Sequence, residues 1–476
     1  MNEGDRRDGP VGAHQEAAGL TVSSVHPVDQ GRAGRARRRG RLLALAAAPV
    51  ALALALAACS SGSSDGTAKT GSSVSGSATS SGSGTPSTSP SSSTPATPAT
   101  LAVHPSTGTK NVNPAKPITV TATGGTIGSV TLVNVVSGVH VSGKLSSDGT
   151  SWTSTEDLGY GKKYRLTASA KNADGSAGAK ARSTFTTLTP GNQTLPYLDD
   201  IYGAALKNNG TYGVAMVPVV HFDEPISNRK AAEKALIVTT SPHVDGSWYW
   251  TDDQNVHWRP ENFYTPGTKV TIDAKVYGVR VGPGLYGQSD EKVSFNIGRK
   301  QVTQAYDSAP KVDKVKVFRW SKDGTRTLMR TMNTSMGEHS GETVNGQYIN
   351  FYTLDGTYTV LGFENPASMC SDSYGLPADA PGGYACEDIP WSTKISTDGI
   401  YLHELDTTIW AQNSGDDVSH GCLNLDHSNA EWFFKHSLVG DPVIVHGAKG
   451  APKLKLWEGG DWTLSWKQWQ QGSALS

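Results

Sequence analysis

The 476-residue chain is long enough for about two to four domains, at roughly 100–200 residues per domain. A formal net charge of −1 with 18% charged residues argues against general binding of polyanions, so no nucleic-acid partner is expected. The four cysteines are too few for a disulfide scaffold and lack the paired spacing of a zinc site. The sequence therefore predicts neither a metal nor a cofactor.

Residues 1–58 have the pattern of an export signal. Arginines between Arg35 and Arg41 precede the uncharged, Leu/Ala-rich segment 42–58. This segment ends before Cys59 in a sequence that resembles the lipobox of bacterial lipoproteins, which predicts cleavage before Cys59 and lipidation of its thiol. An uncleaved signal anchor is the alternative, because seventeen apolar residues fall at the short edge of a membrane span. The start codon and the choice between Sec and twin-arginine export stay open.

Residues 59–100 are almost entirely Ser, Gly, Thr, Pro and Ala. A segment of this composition cannot bury enough apolar surface to offset the entropy lost on ordering. The sequence predicts a disordered tether that holds the rest of the chain at a distance from a membrane.

Two similar β modules are predicted at 101–189 and 190–299. Short alternating strands separated by Asp-Gly turns fill both segments. A constant offset relates Trp152 to Trp258, and Gly143 similarly anticipates Gly246. This duplication predicts two immunoglobulin-like sandwiches, interpreted as spacers because neither contains a convergent cluster of His, Cys or carboxylate residues.

Residues 300–446 continue the strand pattern and contain the first clear helix. That helix is predicted at 430–438, with Ser428 or Asn429 as its cap and Glu431 in its first turn. The closing segment 447–476 is rich in Trp and is expected to pack on the 300–446 domain. The fold class predicted from the whole chain is mainly β: two tandem Ig-like sandwiches followed by a β-rich domain with a short helix after Cys422.

The chemistry is expected at Cys422, which lies in the segment Ser-His-Gly-Cys-Leu-Asn. A cysteine that transfers acyl groups needs a base and backbone N–H donors for the oxyanion. Gly421 permits close approach of the backbone, and a helix begins a few residues onward. His420 or His403 could be the base, and spacing alone does not choose between them. A small buried hydrophobe is the alternative role for the cysteine.

His403 followed by the Ser-His-Gly-Cys-Leu-Asn segment resembles the signature of the L,D-transpeptidases, which cross-link bacterial peptidoglycan. The likeness spans about residues 101–476, since further family motifs follow in the family's order. These are Met336-Gly337, Asn345-Gly346, Ser373-Tyr374-Gly375, Gly383-Tyr384, Trp391 and Gly460-Asp461-Trp462.

The resemblance implies a role for each matching residue. Cys422 would be the nucleophile and His403 the proton acceptor and donor, with His420 structural. The Gly421–Cys422 backbone would supply the oxyanion donors. Glu404 departs from the family, in which Ser or Gly is frequent, so the backbone carbonyl of Ser419 is a candidate for orienting His403. The positions that match residues lining the substrate cleft are Tyr384, Asp398, Gly399 and Asn424.

Cys370 and Cys386 bracket the expected active-site lid. Two cysteines with fifteen residues between them, in a Gly/Pro-rich loop of an exported protein, are expected to form a disulfide. Two free thiols or a metal-binding pair are the weaker alternatives.

The resemblance implies ping-pong formation of 3→3 cross-links between peptidoglycan stem peptides, with reactivity towards carbapenems. A cell-wall carboxypeptidase or cysteine peptidase that uses water as acceptor is the alternative, and a non-catalytic wall-binding lipoprotein is a further one. The expected location is the outer face of the plasma membrane, through the lipid anchor, with the enzyme reaching into the cell wall.

Overall fold

The computed structural model describes residues 98–476. The predicted export signal, the proposed lipidation site Cys59 and nearly all of the predicted tether lie outside the described residues. None of the helices in this part of the chain is long and apolar enough to cross a bilayer.

The first sandwich is built from eight strands, all paired antiparallel. They are β1 (Thr100–His104), β2 (Thr119–Thr123), β3 (Gly125–Asn134), β4 (His140–Val141), β5 (Gly143–Leu145), β6 (Ser151–Ser154), β7 (Lys163–Asn172) and β8 (Ala177–Thr186). Their two sheets have the orders β1-β2-β6-β5 and β4-β3-β7-β8. Strand β7 alternates buried and exposed positions, as expected for a strand with one face in a core. That core contains Trp152, Leu166 and Phe185.

The second sandwich contains eleven strands and one short helix. The elements are β9 (Asn192–Thr194), β10 (Pro196–Asp199), β11 (Thr211–Tyr212), β12 (Val219–Phe222), α1 (Arg229–Ala235), β13 (Leu236–Ser241), β14 (Gly246–Trp250), β15 (Asn255–Pro260), β16 (Lys269–Ala274), β17 (Arg280–Gly282), β18 (Leu285–Gly287) and β19 (Glu291–Ile297). The main sheets have the orders β10-β12-β15-β14 and β11-β19-β16-β13, and β17-β18-β9 forms a smaller third sheet. The mainly β architecture predicted from the sequence is confirmed.

The two sandwiches share one packing detail that follows from the predicted duplication. A Cβ atom on Gly143 would lie 2.0 Å from the ring of Trp152, and one on Gly246 would lie 2.0 Å from the ring of Trp258. Each tryptophan therefore lies flat against a neighbouring strand, where only glycine leaves room for it.

The third domain combines two sheets, two hairpins and two helices. Its elements are β20 (Gln301–Tyr306), β21 (Asp313–Trp320), β22 (Arg326–Thr334), β23 (Gly341–Val344), β24 (Gln347–Asn350), β25 (Gly356–Thr359), β26 (Gly362–Glu364), β27 (Ala367–Met369), β28 (Glu387–Ile389), β29 (Ser392–Lys394), β30 (Tyr401–Glu404), α2 (Ile409–Ser414), β31 (Leu423–Leu425), α3 (His427–His436) and β32 (Pro442–His446). The sheets have the orders β22-β21-β20-β32-β25 and β26-β29-β30-β31, and the hairpins pair β23 with β24 and β27 with β28.

The helix predicted at 430–438 begins earlier than expected. Helix α3 starts at His427, and the Asp426 carboxylate caps it by accepting a hydrogen bond from the Asn429 N–H at 3.0 Å. The prediction of Ser428 or Asn429 as the cap was wrong, because Asp426, in extended conformation directly before His427, has the better capping geometry. Since Asp426 satisfies this helix end, we assign α3 no part in stabilising the oxyanion.

The C-terminal segment contacts both of the domains before it. Leu454 lies in the core of the third domain, as expected for this segment, and Thr397 Oγ1 donates to the Trp457 carbonyl at 2.7 Å.

The part from Asp461 onward packs on the second sandwich. Helix α4 (Trp466–Gln470) carries Trp469, which is fully buried and donates its ring N–H to the Ser247 carbonyl at 2.9 Å. The buried Arg259 guanidinium lies 4.7 Å from the ring centroid of Trp462 and 4.6 Å from that of Trp469. Cation–π attraction to a desolvated arginine explains why these tryptophans pack there.

Candidate active site

Strand register places His403 beside Asn424, two residues after Cys422. Strands β30 and β31 are parallel, with Leu402 opposite Leu423 and His403 opposite Asn424. Both leucines are fully buried in the domain core. Because side chains alternate along a strand, His403 and Asn424 face the other side. Cys422 directly precedes β31.

His403 is a buried, neutral base. Its side chain is 4% exposed, and its Nδ1 lies 3.0 Å from the backbone oxygen of Glu404. A carbonyl only accepts hydrogen bonds, so Nδ1 carries the proton and Nε2 keeps a free lone pair. Burial lowers the pKa of His403 to about 4. The imidazole is therefore uncharged at neutral pH and can accept a proton at Nε2.

The Cys422 thiol is protonated in the resting site. Its Sγ donates to the carbonyl oxygen of Gly399, with a separation of 3.6 Å. Burial is the main reason that the pKa of Cys422 is raised to about 11. The Tyr401 backbone N–H and the charge of Lys394 act in the opposite direction and lower the pKa. The nearby charge of Asp398 raises it further. Both partners of the proposed pair are thus neutral, and the thiolate has to form by proton transfer.

The loop before Cys422 is held by the Ser419 side chain. Ser419 Oγ donates to the Cys422 carbonyl at 2.6 Å and accepts from the Gly421 N–H at 3.1 Å. The φ angle of Gly421 is +123°, which a side chain would strain. Two expectations therefore need correction. The Gly421 N–H is already engaged, and the Ser419 carbonyl accepts from the Glu338 N–H at 2.8 Å, so the carbonyl that orients His403 is that of Glu404.

Thr353 is a positioning residue that sequence reasoning missed. Its side chain is fully buried, and its Oγ1 donates to the Gly421 carbonyl at 2.9 Å while accepting from the Gly337 N–H at 2.9 Å. In a trans peptide the C=O and the N–H point in opposite directions. Fixing the Gly421 carbonyl therefore fixes the direction of the Cys422 N–H. No motif in the sequence singles out this threonine.

A disulfide closes the loop expected to form the lid. Cys370 follows β27, Cys386 precedes β28, and the two are bonded. Within the loop, Ser371 Oγ donates to the Tyr384 carbonyl at 2.8 Å and accepts from its N–H at 2.9 Å. Burial raises the pKa of Tyr384, and Cys422 raises it further when its thiol is deprotonated. This electrostatic coupling places the tyrosine near the proposed nucleophile.

His420 supports the lid loop. Its ring lies 4.4 Å from Phe351, 5.4 Å from Tyr384 and 6.1 Å from Tyr374, measured between ring centroids. Burial lowers its pKa. These contacts fit the structural role that the family resemblance implies for His420.

The remaining predicted residues lie near Cys422. Asp398 and Gly399 lie in the turn between β29 and β30, and the Asp398 carboxylate accepts a hydrogen bond from Ser396 Oγ. Asn424 is 1% exposed, and within residues 98–476 its Oδ1 has no hydrogen-bond partner. A buried acceptor without a partner on this face is available to a bound molecule.

The Glu404 side chain points away from His403. Its Oε2 lies 2.8 Å from Nδ1 of His427, which raises the pKa of His427. Glu404 therefore acts on His403 through its backbone carbonyl, and its carboxylate does not raise the basicity of that imidazole.

Comparison with known proteins assigns two types of domain. Residues 109–280 match the family model described as bacterial Ig domain, and residues 311–445 match the model described as L,D-transpeptidase catalytic domain. The class defined by fold and sequence is therefore an acyltransferase domain preceded by Ig-like domains.

Relatives place the chain within a family. L,D-transpeptidase 2 of Mycobacterium tuberculosis is 37% identical over 367 residues, which cover 77% of this chain and 83% of that protein. L,D-transpeptidase 5 of the same species is 34% identical over 386 residues, covering 79% and 77% respectively. An L,D-transpeptidase solved in complex with imipenem is 26% identical, with a TM-score of 0.41, covering 52% of this chain and 99% of that one. The chain belongs to the L,D-transpeptidase family.

Proposed function

We propose that this enzyme forms 3→3 cross-links in peptidoglycan, with Cys422 as the nucleophile and His403 as the general base and acid. The observation that supports this proposal is the pairing of His403 with Asn424, two residues after Cys422, together with the hydrogen bond that holds the His403 Nδ1 proton on the Glu404 carbonyl. A fixed tautomer leaves Nε2 as the only ring nitrogen able to accept the thiol proton.

The first half-reaction begins from the neutral pair. When a tetrapeptide stem displaces water from the cleft, the thiol proton moves to Nε2 of His403 and the thiolate attacks the carbonyl carbon of the third, diamino-acid residue. A tetrahedral intermediate forms and collapses as the bond to the terminal D-Ala nitrogen breaks. That nitrogen takes the proton from His403, and the stem remains bound to Cys422 as a thioester.

The second half-reaction reverses the proton path. The side-chain amine of an acceptor stem attacks the thioester carbon and gives a proton to Nε2 of His403. The carbon–sulfur bond then breaks, the sulfur recovers the proton, and the new amide is the cross-link. Water in place of the amine would give a tripeptide stem, the product of a carboxypeptidase.

The oxyanion is assigned to the Cys422 N–H. Thr353 holds the carbonyl of the same peptide unit on the other side, so the N–H direction is preset before substrate binds. The unpartnered Asn424 Oδ1 supports a role in accepting an N–H of the stem peptide, and Tyr384 covers the site from the lid.

The direct test is mass spectrometry of the intact protein after carbapenem treatment, followed by analysis of products from purified muropeptides. Cys422→Ala should show no covalent adduct and no cross-linked dimer, whereas His243→Gln, at an exposed position in the second sandwich, should behave as the wild type. An adduct on Cys422→Ala would contradict the assignment of the nucleophile. Tripeptide without dimer from the wild type would favour the carboxypeptidase instead, and absence of an adduct from the wild type would favour a non-catalytic wall-binding protein.

We further propose export as a lipoprotein anchored through Cys59, which rests on the sequence pattern alone. Metabolic labelling with a fatty-acid analogue should label the wild type and leave Cys59→Ala unlabelled. Equal labelling of both chains would exclude this anchor.

A further inference from the structure

A second group of ionisable side chains meets near the start of the segment 417–422. Asp307 follows β20, His339 lies between β22 and β23, and Asp417 stands five residues before Cys422. His339 Nε2 lies 2.8 Å from Asp307 Oδ2 and 3.3 Å from Asp417 Oδ2. One ligand atom from each of the three residues lies within 4.8 Å of the others.

These carboxylates are almost completely removed from water. The side chains of Asp307 and Asp417 are 2% and 5% exposed, and Asp313, at the start of β21, is 0% exposed. The Asp313 carboxyl lies within hydrogen-bonding reach of the Asp417 carboxyl. Its Oδ2, however, has no donor partner within the described part of the chain. Three buried acids converge with one partly exposed imidazole as their basic partner.

Burying several carboxylates beside a single imidazole is energetically unfavourable without a further cation. Asp313 Oδ2 and Asp417 Oδ2 are both buried and accept no hydrogen bond within residues 98–476, although His339 Nε2 lies 3.3 Å from Asp417 Oδ2. Desolvated carboxylates are normally paired with a cation, protonated or bound to a metal. The converging set of two carboxylates and one imidazole matches the donors that divalent first-row metals such as Zn²⁺ and Mn²⁺ accept.

We propose that Asp307, Asp417 and His339 bind one divalent transition-metal cation. The cation neutralises the buried acids and has no contact with the reacting atoms. This site is one that the sequence did not predict, because its donors come from three separate segments of the chain.

The cation would act on the catalytic loop through Asp417. Asp417 Oδ1 accepts from the Met336 N–H at 2.6 Å, and the Met336 carbonyl accepts from the Ser419 N–H at 3.1 Å. Ser419 in turn holds both Gly421 and Cys422. A cation that fixes Asp417 therefore fixes the start of the segment that carries the proposed nucleophile, as a positioning site.

The test measures Zn²⁺ binding to the full chain carrying Cys422→Ala, so that the thiol cannot bind the metal. After chelator treatment and dialysis, isothermal titration calorimetry and elemental analysis should give one Zn²⁺ per chain. Adding His339→Gln or Asp307→Asn should weaken binding at least tenfold, since each removes a ligand. The matched control is His243→Gln, which alters an exposed His–Asp pair with an Nε2–Oδ1 distance of 3.1 Å and should leave the affinity unchanged.

Thermal unfolding supplies a second readout that is independent of activity. Zn²⁺ should raise the Tm of the Cys422→Ala chain in a concentration-dependent manner, and the rise should be absent in the chain that also carries His339→Gln. Affinity should fall as the pH is lowered, because protons compete for the same ligands. Failure to bind Zn²⁺, or binding that neither ligand variant weakens, overturns the proposal. So does a Tm that depends on pH but not on Zn²⁺, because the acids would then share protons instead of a metal.

Discussion

The two histidines that could serve as the base of Cys422 lie in different surroundings. His403 ends a sheet strand, is almost fully buried, and has its Nδ1 proton fixed by a backbone carbonyl. His420, two residues from the cysteine, is packed among the aromatic rings of the lid. Nearness in sequence therefore does not select the base. We propose His403 as the base because the Glu404 carbonyl fixes its tautomer and leaves Nε2 able to accept a proton.

Exchanging each histidine is the strongest way to test this difference. His403→Ala should slow carbapenem acylation by about 10²–10⁴-fold, the usual contribution of a general base. His420→Ala should slow it by less than about tenfold, because the loss affects lid packing and leaves the proton path intact. Stopped-flow acylation rates of both variants, with circular dichroism to confirm folding, provide the measurement. Equal losses of acylation rate in the two variants would contradict the assignment of His403, and not His420, as the base.

The pH dependence gives the next largest effect. With the pKa of His403 at about 4 and that of Cys422 at about 11, thiol and neutral imidazole coexist across the range between them. Wild-type acylation should therefore be nearly constant from about pH 6 to 9. In His403→Ala the thiolate must form by solvent equilibrium, so its rate should rise about tenfold per pH unit below the thiol pKa.

A rate measurement across that pH range checks both slopes. A wild-type rate that climbs in parallel with that of His403→Ala would show that the imidazole does not take the proton.

The sequence predicted the parts of this site that depend on local pattern. Cys422 beside Gly421, the repeated Trp/Gly packing and the disulfide loop all follow from residue type and spacing. The choice of His403 needed the family resemblance, because its parallel pairing with Asn424 joins strands that are far apart in sequence.

What could not be predicted depends on tertiary contacts of common polar residues. The Glu404 carbonyl, like every backbone carbonyl, carries no sequence signal, and Thr353 reaches Gly421 across 68 residues of chain. Whether Ser419 uses its hydroxyl or its carbonyl is likewise decided by loop geometry.

Substitutions of Thr353 test whether its hydroxyl orients the Cys422 N–H for the oxyanion. Thr353→Val keeps the shape but leaves the Gly421 carbonyl and the Gly337 N–H without their partner. We expect acylation to slow by about tenfold or more, since an oxyanion donor that loses its orientation loses part of a contribution of about 10²–10³-fold. Thr353→Ser restores the hydroxyl and should recover most of the rate, although both variants lose buried packing or hydrogen bonds. A Val variant as fast as the Ser variant would remove Thr353 from the mechanism.

The smallest effect is expected at Glu404, and it tests whether side chain or backbone orients His403. The Glu404 carboxylate pairs with His427, whereas the Glu404 backbone carbonyl accepts a hydrogen bond from the Nδ1–H of His403. Because Glu404→Gln keeps that carbonyl, acylation should change by less than about threefold, and the flat pH profile should persist. His427→Gln, which removes the same surface pair from its other end, should match it. A tenfold loss in Glu404→Gln alone would mean that the carboxylate reaches the imidazole during the reaction and that the base is oriented by charge.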